Sequence, residues 1–313
     1  MRVTGNYFQS AFVNQVNDLS LRQQRLQNQV STGQRISAPE DDPAAVQRTL
    51  DLQSDQSAVN QYSSNITSLQ SLATSSFNAI SAVKTVSDRA GEIATLADGT
   101  RSSADLQSYA TEVTGLIKQA VQTMNSQQDG NYIFGGTQSG QPPFVMTTDA
   151  NGNVTGVTYQ GNTATTQAQI DSSTAVTVDV PGANTSGTGA HGVITDSRTG
   201  ADFFNHLISL QNNLLAGNTN AISTTDTPAL SNDENNLISQ ISNNGAIQTQ
   251  LNTAQTANGK LSTSLTASVS SEADVDMTDT IVQLNQAQYA YQAALQSGAG
   301  VLQKSLLDYI SLT

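Results

Sequence analysis

Two narrow stripes of apolar residues, one near each end of the chain, constrain its fold more than any other feature. Phe12, Val16, Leu19, Gln23, Leu26 and Val30 recur at steps of four and three, a heptad seam with one polar member. Ile281, Leu284, Gln288, Tyr291, Leu295, Gly298, Leu302 and Ser305 repeat that spacing at the other end, and Leu306 comes directly after. A stripe of this width leaves apolar surface in water unless another helix covers it. The economical solution pairs the N-terminal helix with the C-terminal one.

Between the two seams the chain reads as long helices interrupted once by strands. The first helix should stop at Ser31-Thr32-Gly33, where Gly33 can take a left-handed cap. Asp42 then suits an N-cap and Pro43 the first helical position, with Glu40, Asp41 and Asp42 near the positive end of the helix dipole. No Gly or Pro interrupts Ala44 to Ala90, so a helix about 75 Å long is expected from the rise per residue, a length that belongs to a rod. After Asp98-Gly99, the series Leu106, Ala110, Val113, Ile117, Ala120 and Met124 predicts a third helix folding back on the second. From Asn131 to about Gly200 the chain turns rich in Gly, Thr, Asn and Val, with strands expected at Val154 to Tyr159 and Ala175 to Val180 and a hairpin at Asn151-Gly152. Helix returns over Ala201 to Ala216. A Thr- and Asn-rich linker runs on to about Asp233, and another long helix carries Leu237, Ile241, Leu251, Leu261 and Leu265.

The expected fold is therefore mainly α with a β-rich insertion: an elongated antiparallel helical bundle or coiled coil built from the N- and C-terminal segments, with a small β domain at its far end. Three parts are expected. Residues 1–42 with 274–313 form a terminal coiled coil that is disordered before assembly, 43–136 with 201–273 form a helical rod, and 137–200 form the β-rich inserted domain.

Composition excludes several functions. Twelve basic against twenty-five acidic residues give a formal charge of -13, which repels phosphate backbones and anionic lipid heads, so neither nucleic acid nor membrane is an expected partner. No apolar run is long enough to span a bilayer, and the first residues lack the apolar stretch of a secretory signal peptide. Cysteine is absent, which removes thiolate chemistry and disulfides. His191 and His206 are the only histidines and sit in no metal-binding spacing, so both are expected to be solvated. Gly187 to Gly192 matches G-x-G-x-x-G, yet Val193-Ile194-Thr195 looks extended where a helix would be required, and a flexible loop is expected. Asp149, Asn151 and Asn153 begin like a calcium loop but lack its later Gly and Glu. Asp171, Asp179 and Asp196 read as solvating carboxylates. No catalytic, cofactor or metal residues are assigned, and no enzyme is expected.

Motifs at both ends carry a family resemblance. Ser31-Thr32-Gly33-Gln34-Arg35-Ile36 and then Asp41-Asp42-Pro43-Ala44-Ala45 resemble the N-terminal signature of the flagellins and flagellar hook-associated proteins. Asp274-Val275-Asp276-Met277, Gln286-Ala287-Gln288-Tyr289 and Ser305-Leu306-Leu307-Asp308-Tyr309-Ile310 resemble the matching C-terminal signature, in the same order. Gly130-Asn131-Tyr132-Ile133-Phe134-Gly135-Gly136 and the Met1-Arg2-Val3-Thr4 opening are more similar to the hook-associated branch than to flagellin. The family-signature positions are Gly33, Arg35, Ile36, Asp41, Asp42, Ser305, Leu306 and Tyr309. The resemblance implies a self-assembling structural subunit of the flagellum, exported by the flagellar type III apparatus with a chaperone. It further implies a layer between hook-associated protein 1 and the flagellin filament, with Phe12, Val16, Leu19, Leu26, Val30, Ile281, Leu284, Tyr291, Leu295, Leu302 and Leu306 as the assembly interface. Two other readings stay open: flagellin itself, and an extracellular binding module carried on a helical stalk.

Overall fold

A computed structural model describes the backbone of residues 3–310 and the side chains of residues 10–300. Seven helices and nine short strands succeed one another among the described residues. The chain divides into two compact units, residues 1–58 with 261–313 and residues 59–260.

The first unit is helical. Helix α1 spans Val3–Thr32, and the final helix, α7, spans Met277–Ile310. Two longer helices contribute their ends to it: α2, Pro43–Leu96, and α6, Thr227–Ala273.

The second unit holds the main core. Along α2, Ile66, Ala73, Ile80, Val83, Ala90 and Ile93 are all fully buried. Helix α3, Ser103–Met124, starts at a capping box in which the Ser102 hydroxyl accepts from the Asp105 N–H and the Asp105 carboxylate accepts from the Ser102 N–H. Its six predicted seam positions, from Leu106 to Met124, are all buried. The Arg89 guanidinium ties α2 to α3 through a two-pronged contact with Glu112 at 2.6 and 3.1 Å.

The β-rich stretch shares its core with these helices. Strands β1 (Gln127–Gln128) and β2 (Asn131–Tyr132) pair, and β3 (Phe144–Thr148) and β4 (Val154–Tyr159) form the predicted hairpin. The Asp149 carboxylate holds the β3–β4 turn by accepting from the N–H groups of Asn151 and Asn153. Phe144 and Val154 enter the cluster formed by α2, α3 and the later helix α4 (Phe203–Ala216). Strands β5 (Ala168–Gln169) and β6 (Ala175–Val176) carry Ile170, Val176 and Val178 onto Ile66 and Ala73 of α2 and Leu251 of α6. The strand expected over Ala175 to Val180 is thus only two residues long, because Val178 is used in the core and Asp179 caps Thr166 instead of extending a ladder. Strand β7 (Ala183–Asn184) lies parallel to β8 (Thr195–Asp196), which pairs antiparallel with β9 (Ala201–Asp202).

Helix α4, Phe203–Ala216, buries Phe203, Phe204, Leu207, Leu210 and Leu214 and ends on left-handed Gly217. The linker expected from there to Asp233 is helical instead. A short helix α5, Thr219–Ala221, runs into a π-helical segment, Ile222–Asp226, and then directly into α6. Tertiary burial overrides the weak local propensity, since Ile222, Asp226 and Leu230 are all buried. Pro228 accounts for the wide turn. It has no N–H for an α-helical bond, and its ring would meet the carbonyl four residues back.

Candidate assembly interface

Two turns stand side by side in the first unit. At the end of α1, Gly33 takes φ 72° and donates its N–H to the Gln29 carbonyl at 2.8 Å. The chain then runs antiparallel to the turn that joins α6 to α7. Arg35 N–H donates to the Ala273 carbonyl at 2.7 Å and Val275 N–H to the Gly33 carbonyl at 2.9 Å, around an isolated bridge between Gln34 and Asp274.

The signature side chains fasten these turns. The Arg35 guanidinium donates to the Glu272 carbonyl at 2.9 Å and reaches the Asp42 carboxylate at 3.4 Å. Arg48 donates to the Glu272 carboxylate at 2.9 Å. The Asp41 carboxylate accepts from the N–H groups of Ser37 and Ala38, and Asp42 caps α2 by accepting from Ala45 N–H. The Ala38 and Ser37 N–H groups lower the pKa of Asp41, the Ala45 N–H does the same for Asp42, and Arg48 for Glu272. Asp276 caps α7 through the N–H groups of Thr278 and Asp279. Ile36 is half-buried beside this cluster of turns.

Beyond the turns, α1 and α7 pair along their length. On α1 the predicted seam faces inward: Leu26 is buried and Phe12, Val16, Leu19, Gln23 and Val30 are half-buried. On α7 the inward positions are Thr280, Gln283, Leu284, Ala287, Gln288, Tyr291, Ala294 and Gly298. Leu284, Gln288, Tyr291 and Gly298 match the predicted stripe, while Ile281 and Leu295 stand off it at 44% exposure each. The shift has a simple origin: small residues pack the seam, and the larger apolar side chains sit beside it. Leu302, Ser305, Leu306 and Tyr309 lie outside the described side chains.

The outer surface of the pair is apolar in places where a free helix would be polar. Val13, Leu21, Met277, Ile281, Val282, Tyr289 and Leu295 are exposed, Tyr289 to 73%. Arg22, Arg25 and Leu21 from α1 line one groove with Gln283 from α7.

No comparable chemistry appears in the second unit, although two expectations there need correcting. Asp196 is fully buried, not solvating: it accepts from the Gly192 and Arg198 N–H groups and from the Arg198 guanidinium, with His191 Nδ1 at 3.0 Å. Burial alone would raise its pKa, but the Arg198 side chain and these N–H groups outweigh that and hold the carboxyl well below the usual range. The G-x-G-x-x-G segment is the loop wrapped around this carboxylate. His206 is likewise no solvated surface group, since its Nδ1 lies 2.8 Å from the buried Asp233, which also accepts from Asp202 N–H. Sequence reasoning also missed Gln211, whose fully buried amide accepts from Thr114 Oγ1 and Val154 N–H and donates to the Val154 carbonyl. Among the described residues no group of three or more His, Cys, Asp or Glu could hold a metal, and no helix is long and apolar enough to cross a membrane.

Comparison with known proteins agrees with the motif reading. Residues 3–139 match the family model of the bacterial flagellin N-terminal helical region. Flagellar hook-associated protein 3 of Salmonella typhimurium is 30% identical over 161 residues, 51% of this chain and 48% of that protein. The chain spans about half the length of the curated relatives it matches. A Vibrio parahaemolyticus chain provisionally assigned as a flagellar hook-associated protein shares the fold at a TM-score of 0.63 and 18% identity, over 75% of this chain and 100% of that one. The flagellar junction protein FlgL of Legionella pneumophila does so at 0.54 and 15%, over 72% and 99%. In sequence the chain resembles flagellins and flagellar hook-associated proteins, with hook-associated protein 3 among its relatives, and in fold it resembles hook-associated protein structures.

Proposed function

We propose that this chain, with its flagellin-type N-terminal region and its fastened terminal helices, is a structural subunit of the bacterial flagellum that assembles with copies of itself as a layer joining hook to filament. One observation carries the reading: the two chain ends form a helix pair whose own seam buries few large side chains, while seven apolar residues of α1 and α7 face outward. A pair built this way is marginal alone and gains cover from neighbouring subunits. The terminal segments, residues 1–42 and 274–313, therefore become fully ordered in the assembly, and residues 43–273 supply the stable shaft and its β-rich insertion. Hook-associated protein 1 and flagellin are the neighbours that the motif resemblance implies. Before assembly the same apolar residues require an export chaperone, and the route is the flagellar type III apparatus, which places the working protein outside the cell.

Deletion of the chromosomal gene tests this, with electron microscopy of the cells and of the culture medium. Bare hooks with unassembled flagellin in the medium are expected. Loss of the bulk filament protein itself would make the chain a flagellin, and normal filaments would overturn the junction reading.

A further inference from the structure

We propose that Phe12 and Gly298 set the register of the two terminal helices, making the two ends of one chain each other's specific partner. A heptad seam by itself does not fix register, because sliding one helix by seven residues brings the same kinds of position face to face. Something must break that degeneracy.

The structure assigns the break to side-chain size. Gly298 is buried, and a β-carbon there would overlap the edge of the Phe12 ring, 2.6 Å from Cε1. The ring fills the space that a side chain at 298 would need. Antiparallel helices advance equally, so this contact sets Val16 level with Ala294, Leu19 with Tyr291, Gln23 with Ala287, Leu26 with Leu284 and Val30 with Thr280. Burial along α7 matches that set. Three of the six levels place a larger α1 residue against a Gly or Ala of α7. At the other end, the bridge between Gln34 and Asp274 closes the pair in nearly the same register.

Sliding α7 by one heptad in one direction puts Phe12 against Tyr291 and leaves Gly298 without its ring. In the other direction Gly298 meets Leu19, and Leu26 meets Tyr291. The native register itself sets Leu19 on Tyr291 and Leu26 on Leu284, so what both slips lose is the space at Gly298 opposite the Phe12 ring, and tightly packed interfaces resist that mismatch. The inference rests on the reading that the two ends pair when the protein is in use, but it concerns pairing and can be tested without assembly.

The absence of cysteine makes the test direct, since any introduced pair is unique in the full-length chain. Val16→Cys with Ala294→Cys reports the native register, and Val16→Cys with Ala287→Cys reports a slip of one heptad. Under a mild oxidant the first pair should close within one chain and the second should not. Adding Gly298→Val should lower closure of the native pair by about tenfold, the scale of overpacking at a filled site. Adding Phe12→Ala to Gly298→Val should restore it. Unchanged closure in Gly298→Val, no recovery in the double variant, or equal closure of the two cysteine pairs would each overturn the proposal. Normal filaments in the gene deletion would sink the junction reading and leave this result standing.

Discussion

Replacing Gln211 with leucine should destabilise the second unit by about 3 kcal/mol, a large loss for a near-isosteric change. The Gln211 amide sits at zero exposure and treats Val154 as a strand would, taking its N–H at 3.2 Å and giving to its carbonyl at 3.0 Å. Leucine fills the space but removes the partner of two buried backbone groups, each costing about 1–3 kcal/mol when left unpaired, less the modest gain from added apolar burial. Thr114 supplies the control. Its hydroxyl donates to Gln211 Oε1 at 2.7 Å but also lies 2.9 Å from the Ala110 carbonyl, so Thr114→Val removes one side-chain partner of the amide while leaving the backbone of β4 paired. That variant should lose about 1 kcal/mol. Urea unfolding monitored by far-ultraviolet circular dichroism measures both, since the chain has no tryptophan and is rich in helix. In thermal scans the Gln211→Leu loss corresponds to roughly 6–12 °C. If Gln211→Leu lost no more than Thr114→Val, the amide would not be the strand substitute that the geometry describes.

Other outcomes can be read from the same structure. The Asp233 carboxylate raises the pKa of His206, so its contribution is fully present below pH 6.5 and is lost as pH rises through the raised value. Urea midpoints should fall across that alkaline window in the native chain and stay flatter in His206→Gln. Gly33→Val should destabilise the first turn by about 1–2 kcal/mol, because residue 33 stands at φ 72°, while Gly33→Asn should lose clearly less, as read by limited proteolysis near residues 33–36. Leu295→Asp, on the exposed flank of α7, should block polymerisation of purified protein while leaving the thermal unfolding of the second unit unchanged; normal assembly would remove that flank from the interface.

How much of this is legible in the sequence depends on the signal each element carries. Helix α3 is readable position by position because its apolar seam keeps an unbroken four-three spacing and its start is marked by Gly99 and the Ser102 cap. The stop at Thr32 and the start at Pro43 are readable for the same reason. The α7 seam reads as displaced toward Ile281 and Leu295, since a search for hydrophobic period favours large side chains and the helix packs through Thr, Ala and Gly. The Thr- and Asn-rich stretch before Asp233 has the composition of a loop, and only burial of Ile222 and Leu230 against distant elements makes it helical. Strands of two residues leave no alternation to detect, so the way the β-rich stretch shares a core with α2 and α6 is invisible. The buried Asp196, Asp226 and Asp233 are hidden too, as a carboxylate's partners lie far along the chain or in backbone N–H groups.

The π-helical segment also affects how this region can vary in length. An i→i+5 turn is an α-turn carrying one extra residue. Removing Ser223 or Thr224, both exposed, would let the segment relax to ordinary α-helix with its flanking turns nearly in phase, because the wide turn already accommodates the extra residue. Ile222 would then keep its buried position, and α5 its place beside α4. A second deletion, falling in plain α-helix, would turn the whole helix start by about 100°, so this stretch tolerates the loss of one residue and no more.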